Sequence, residues 1–172
     1  MSSRNWLNLG LLVLVATLTL IVWLEPGRTP QPATPPLLDI APEQVEHIEV
    51  LQPGESPIVL DKRDTGWTLT SPLRGPVNEQ LMQQLLKIPR ERCGRHYADD
   101  DVDLAQSGLE PPLLQLTMGN QVVAFGGTDP IDRNRYVRIG TKVHLCVDRF
   151  FYLLTGGPES FVSAADTTTE IP

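Results

Sequence analysis

The chain has 172 residues and a formal net charge of −7. That length holds one ordinary domain with room for an appendage. The acidic balance repels phosphate backbones, which excludes a general nucleic-acid binder.

From Trp6 to Leu24 the sequence is an apolar run interrupted only by Asn8 among strongly polar residues. A bilayer-spanning helix needs about 20 such residues, so the expectation is a retained transmembrane anchor over 6–24 behind a short cytoplasmic N-terminus, 1–5. A cleaved leader would have a shorter core and small residues at its end, whereas here Trp23, Leu24, Glu25 and Pro26 follow. Trp6 and Trp23 suit the two interfaces, and Arg4 on the short side favours a cytoplasmic N-terminus. The expected location is the bacterial inner membrane, single-pass, with the C-terminal domain in the periplasm.

Residues 25–42 carry Pro26, Pro30, Pro32, Pro35, Pro36 and Pro42, a density that disfavours helix and ladder and gives an extended stalk. The domain itself is expected over 43–157. It opens with alternating segments around Ile48 and Val50, Ile58 and Leu60, and Trp67 and Leu69, which read as half-buried strands separated by Pro53-Gly54 and Asp64-Thr65-Gly66. The period then becomes helical through Leu81, Leu85 and Ile88, with Asn78 as N-cap, Val77 stapled onto Met82 and Leu85 deepest.

A strand over Arg92–Tyr97 and a short helical turn over Val102–Gln106, closed by Gly108, are expected next. Leu114, Leu116 and Met118 alternate into Gly119-Asn120, a hairpin signal, and Val122–Phe125 returns. Asn134–Ile139 and Val143–Val147 form a second pair across Gly140-Thr141-Lys142. Asp148 is expected to cap an aromatic helix, Arg149–Leu154, stopped by Gly156-Gly157-Pro158, with a flexible tail over 158–172. The fold class is therefore α+β, an antiparallel sheet domain with one or two helices packed on one face, after an N-terminal transmembrane helix and a Pro-rich stalk.

Short motifs along the domain, Gly66-Trp67-Thr68-Leu69 leading through Ser71-Pro72 into a capped helix, Val102-Asp103-Leu104 with Gly108-Leu109-Glu110-Pro111, Phe125-Gly126-Gly127 and Arg135-Tyr136-Val137-Arg138, resemble the bacterial family called Domain of Unknown Function 4340. The order and spacing agree over roughly Val45 to Val147. The resemblance implies a membrane-anchored envelope protein, in some members encoded with ABC-type export or gliding-motility components, and it implies no catalytic residues. Many members hold more than one such unit, and this chain has room for one.

Chemistry is sparsely signalled. Asp99, Asp101, Asp103, Ser107 and Glu110 follow the spacing of a calcium loop, but Leu104 stands where that loop needs its glycine, so local capping by these carboxylates is preferred. His47, His96 and His144 lack a metal-ligand spacing, and no nucleophile elbow is present. No catalytic, cofactor-binding or metal-binding residue is expected, and no cofactor. Cys93 and Cys146 form either one structural disulfide, the preferred reading in an oxidising periplasm, or two free thiols. Arg135 and Arg138 fall on opposite faces of a strand, which forces one toward burial and toward either an internal ion pair or a ligand.

The expected function is a noncatalytic periplasmic module that binds or scaffolds envelope proteins, as an accessory of an ABC-type export assembly. Its partners are the inner membrane, through 6–24, and envelope or membrane proteins; its contact surfaces are strand edges and the aromatic helix of Phe150, Phe151 and Tyr152. The alternative is a small-ligand or envelope-polymer binding domain with a groove near Arg135 and Arg138.

Overall fold

The structure is a computed structural model that describes residues 3–24 and 35–163, with side chains in the first stretch limited to Trp6 and residues 8–21. The chain divides into two units, Met1–Thr34 and Pro35–Pro172. In the first, helix α1 runs Ser3–Leu24, and Leu9, Leu12, Leu18 and Ile21 are more than half exposed. Among the described residues, no helix is long and apolar enough to cross a membrane. The stretch of α1 with described side chains is itself shorter than the about 20 residues a span needs. Residues 25–34 of the expected stalk and 164–172 of the expected tail lie outside the described residues.

Among the described residues of the second unit nine strands form one sheet: β1 (His47–Leu51), β2 (Ile58–Arg63), β3 (Gly66–Ser71), β4 (Gly75–Pro76), β5 (Arg95–Ala98), β6 (Leu114–Met118), β7 (Gln121–Thr128), β8 (Arg135–Ile139) and β9 (Lys142–Cys146). Their order is β4-β3-β2-β1-β6-β7-β8-β9-β5, antiparallel at each pairing. The domain is thus α+β, as the alternating segments imply. Cross-strand register lines up Leu60 with Ile48 and Met118, and Leu114 with Phe125 and Val137, so that one sheet face is continuously apolar.

Helices α2 (Glu79–Leu85) and α3 (Phe150–Leu154) supply Leu81, Met82, Leu85 and Leu154 to the same hydrophobic cluster. Asn78 does cap α2: its side-chain oxygen accepts from the amides of Gln80 and Leu81 at 3.0 and 3.3 Å, and Leu85 is fully buried. Val77 pairs with Val162 across an isolated bridge.

Several boundaries differ from the sequence expectation. Leu37 and Leu38, placed in the stalk, are buried in the core, and their amides donate to the carbonyls of Glu91 and Pro89. Phe161, placed in the tail, is fully buried. The packed domain is therefore wider than 43–157 at both ends, because these apolar side chains fill space between helices and sheet that only the folded topology creates. Cys93 precedes β5 instead of lying in it. The second hairpin turns through Gly140-Thr141 alone, with Ile139 opposite Lys142 and Gly140 at φ 56°.

Asp148 makes no cap on α3, whose N-cap is Arg149 without a side-chain bond.

Candidate functional site

β8 sends alternate side chains to opposite faces, and its two arginines end in different environments. Arg135 lies on the core face, 6% exposed, opposite Cys146. Its Nε and Nη2 donate to the two Asp148 carboxylate oxygens at 2.6 and 2.8 Å, Nη1 donates to the Gly126 carbonyl, and the guanidinium sits 3.5 Å from the centre of the Phe151 ring. A buried arginine that is bidentately paired and stacked is a structural element. Arg138, on the other face, donates to Asp99 at 2.8 Å, while its buried Nε has no hydrogen-bond partner among the described residues. The two arginines therefore do not converge on one groove, and both are engaged by carboxylates of the same chain.

The aromatic helix is likewise divided. Phe150 and Phe151, both half-buried, pack against the core cluster. Tyr152 alone is largely exposed, at 69%, edge-on to Phe151.

Cys93 and Cys146 are bonded, with both side chains buried, so Cys146 is no thiol partner for His144. The bond joins the chain before β5 to the end of β9. Between those strands His96 faces His144, ring centres 5.9 Å apart. Burial first, then His96 and Lys142, holds the His144 imidazole below its usual pKa.

The acidic run beside β5 is used locally. Asp103 Oδ1 accepts from the amide of Gln106 at 2.9 Å, Asp99 serves Arg138, and Gly108, at φ 68°, ends the turn. The Gly126-Gly127 pair forms the bulge that separates Phe125 from Thr128 in the β7–β8 register, and the Gly127 amide donates to the Ser107 carbonyl at 2.7 Å. Backbone approaches backbone here, and a side chain at 126 would collide with the Ser107 carbonyl, which explains the glycine.

On the face of Arg138 this arrangement leaves a groove of about 640 Å³. Its floor is Tyr97, Tyr136 and Leu145 from β5, β8 and β9; its walls are Asp101 and Asp103 from one loop and Asp129 from another. Arg95 is in the lining but is paired with Asp132, so among the described residues the unpaired lining charge is acidic. Burial, then the Asp129 carboxylate, pushes the Tyr136 phenol above its usual pKa. The groove borders an open sheet edge. Among the described residues β5 is last in the sheet and pairs only with β9, and all four of its residues are exposed.

Sequence reasoning missed this groove because its residues come from three separated segments. It also missed a cross-strand set on the other half of the same face: the His47 ring meets Asp61 at 2.7 Å, and Thr70 Oγ1 donates to Asp61 at 2.9 Å. The alternation of His47, Asp61 and Thr70 with buried neighbours on β1, β2 and β3 was the available signal. No family model matches the chain, and no curated protein and no solved structure is significantly similar to it.

Proposed function

We propose that the chain is a noncatalytic module, anchored in the bacterial inner membrane by α1 with its sheet domain in the periplasm, that binds and positions other envelope proteins. An accessory role in an ABC-type export assembly follows from the resemblance to Domain of Unknown Function 4340. The observation that carries the binding reading is the open edge of β5 beside the acidic groove. The Asp99 amide donates to the Thr141 carbonyl, so strict alternation along the β5–β9 ladder turns the backbone N–H and C=O of His96 and Ala98 outward. An extended segment of a partner can add there as a tenth strand and lay alternate side chains toward Tyr97, Asp101 and Asp103. The acidic lining selects a basic segment.

Two further features support the location. The apolar run Trp6–Leu24 is as long as a span requires, and its described side chains are exposed. A buried disulfide suits an oxidising compartment.

The test is mild-detergent purification of the full chain from native membranes, with mass spectrometry of what co-purifies in constant proportion, beside an Ala98→Pro variant. Proline at 98 removes an outward N–H while keeping the strand conformation. A stoichiometric envelope protein lost from the variant is the expected result. Recovery of the chain alone, or equal recovery of the partner by both forms, overturns the edge reading.

The two tyrosines on the groove floor favour a second reading, a small-ligand or envelope-polymer site there instead of near Arg135 and Arg138. Thermal stabilisation by envelope glycan fragments, abolished by Tyr136→Ala, is its measurement.

A further inference from the structure

We propose that His96 and His144 form a surface site for a borderline divalent transition cation of the Zn²⁺ type, independent of the groove. The two histidines are direct cross-strand partners on β5 and β9. The same alternation that turns the His96 backbone outward makes this a non-hydrogen-bonded pair, the arrangement in which opposed side chains approach most closely. Their ring centres are 5.9 Å apart and the planes are tilted by 36°. A zinc ion sits about 2.0–2.1 Å from an imidazole nitrogen and takes tetrahedral angles, so two rings sharing one ion hold their centres about 5 Å apart. The observed 5.9 Å lies within about 1 Å of that spacing, a closure that rotation of the exposed His96 ring supplies on binding.

The pair is also held in place. Cys93 and Cys146 tie the two chain segments together three residues before His96 and two after His144. Fixing both backbones removes much of the ordering cost that a cation would otherwise meet on joining two side chains from separate strands. Imidazole is the ligand type suited to zinc, copper and nickel, whereas the bonded cysteines offer no competing thiolate. His96 is exposed and His144 half-buried, which leaves coordination positions for water or for a ligand from a partner. A partner strand added along β5 would pass directly beside His96, so a cation there could be completed at an interface.

The experiment uses the full chain in detergent micelles, disulfide intact, titrated with Zn²⁺ alone. Saturable binding at a single site is expected, with shifts in the ring proton resonances of both His96 and His144 and no shift of His47. His96→Gln and His144→Gln each weaken binding by at least about tenfold, and His47→Gln leaves it unchanged. Absence of saturable binding, or binding that shifts other residues in the wild-type chain, overturns the proposal; the wild-type resonances decide the matter even where a variant folds poorly. Ala98→Pro retains Zn²⁺ binding, which separates this site from the strand-addition reading.

Discussion

Asp148 closes on Arg135 from the chain just after β9, two bonds in parallel at 2.6 and 2.8 Å, while Phe151 one turn further on covers the guanidinium. The pair ties β8 to the start of α3, so the position of the aromatic helix depends on an ion pair that is nearly inaccessible to water. Removing the carboxylate leaves an uncompensated buried cation, a loss of about 3–5 kcal/mol. Asp148→Ala should therefore lower the urea midpoint sharply. Arg135→Met with Asp148→Leu should recover most of the loss, because an apolar pair of similar volume avoids desolvating either charge. A double variant no better than Asp148→Ala would mean that the geometry of the Gly126 contact matters more than the charge.

Much of this architecture was legible before folding. Ile48 with Val50, and Leu114 with Leu116 and Met118, announce their buried face by alternation alone, and Asn78 and Gly119 mark a cap and a hairpin through local chemistry. The opposite placement of Arg135 and Arg138 also follows from period two. What failed is instructive in physical terms. Asp148 has the composition of an N-cap, but a buried arginine across the β8–β9 pair offers a stronger, charge-assisted partner. Leu37, Leu38 and Phe161 sit among residues whose composition signals linker and tail, and their burial depends on distant helices and strands. The groove at Tyr97, Tyr136 and Asp129 has no local signature because loops far apart in sequence enclose it.

The disulfide closes a sequence separation of 53 residues. Loop-closure entropy for a segment of that length corresponds to about 4 kcal/mol. Replacing Cys93 and Cys146 together with Ala should reduce the unfolding free energy by a comparable amount, measured by urea denaturation. Adding reductant to the double variant should change nothing, whereas reductant should bring the wild-type chain toward it. Little difference between wild type and variant would show that the unfolded chain is already compact around this segment.

Gly126 is a sharper steric test. A Cβ there would lie 2.4 Å from the Ser107 carbonyl oxygen and 3.0 Å from the Leu109 side chain, and the former is backbone that cannot swing aside. Gly126→Ala should destabilise the domain by about 1–3 kcal/mol and disturb the loop that walls the groove. At Gly127 the same Cβ meets Ser107 at 3.4 Å, an ordinary contact, so Gly127→Ala should be mild. Equal effects at the two positions would assign the cost to backbone freedom in the bulge instead of to the collision.

The Asp61 carboxyl is held below its ordinary pKa by hydrogen bonds from His47 and then Thr70. The folded form thus favours the ionised carboxylate. Its stabilising contribution is fully present above the unfolded value of 3.8 and disappears as pH falls through the lower folded value. Thr70→Val removes one of the two donors. Its urea midpoint should lie below that of the wild type near pH 6, where the carboxylate is charged in both states, and the gap should narrow as the pH is taken well below 3.8. Partial solvent exposure of the pair makes the effect small, so matched denaturation curves across the acid range are the appropriate measurement. A gap independent of pH would assign the loss to the Thr70 bond with the Val59 carbonyl, at 3.2 Å, and not to Asp61.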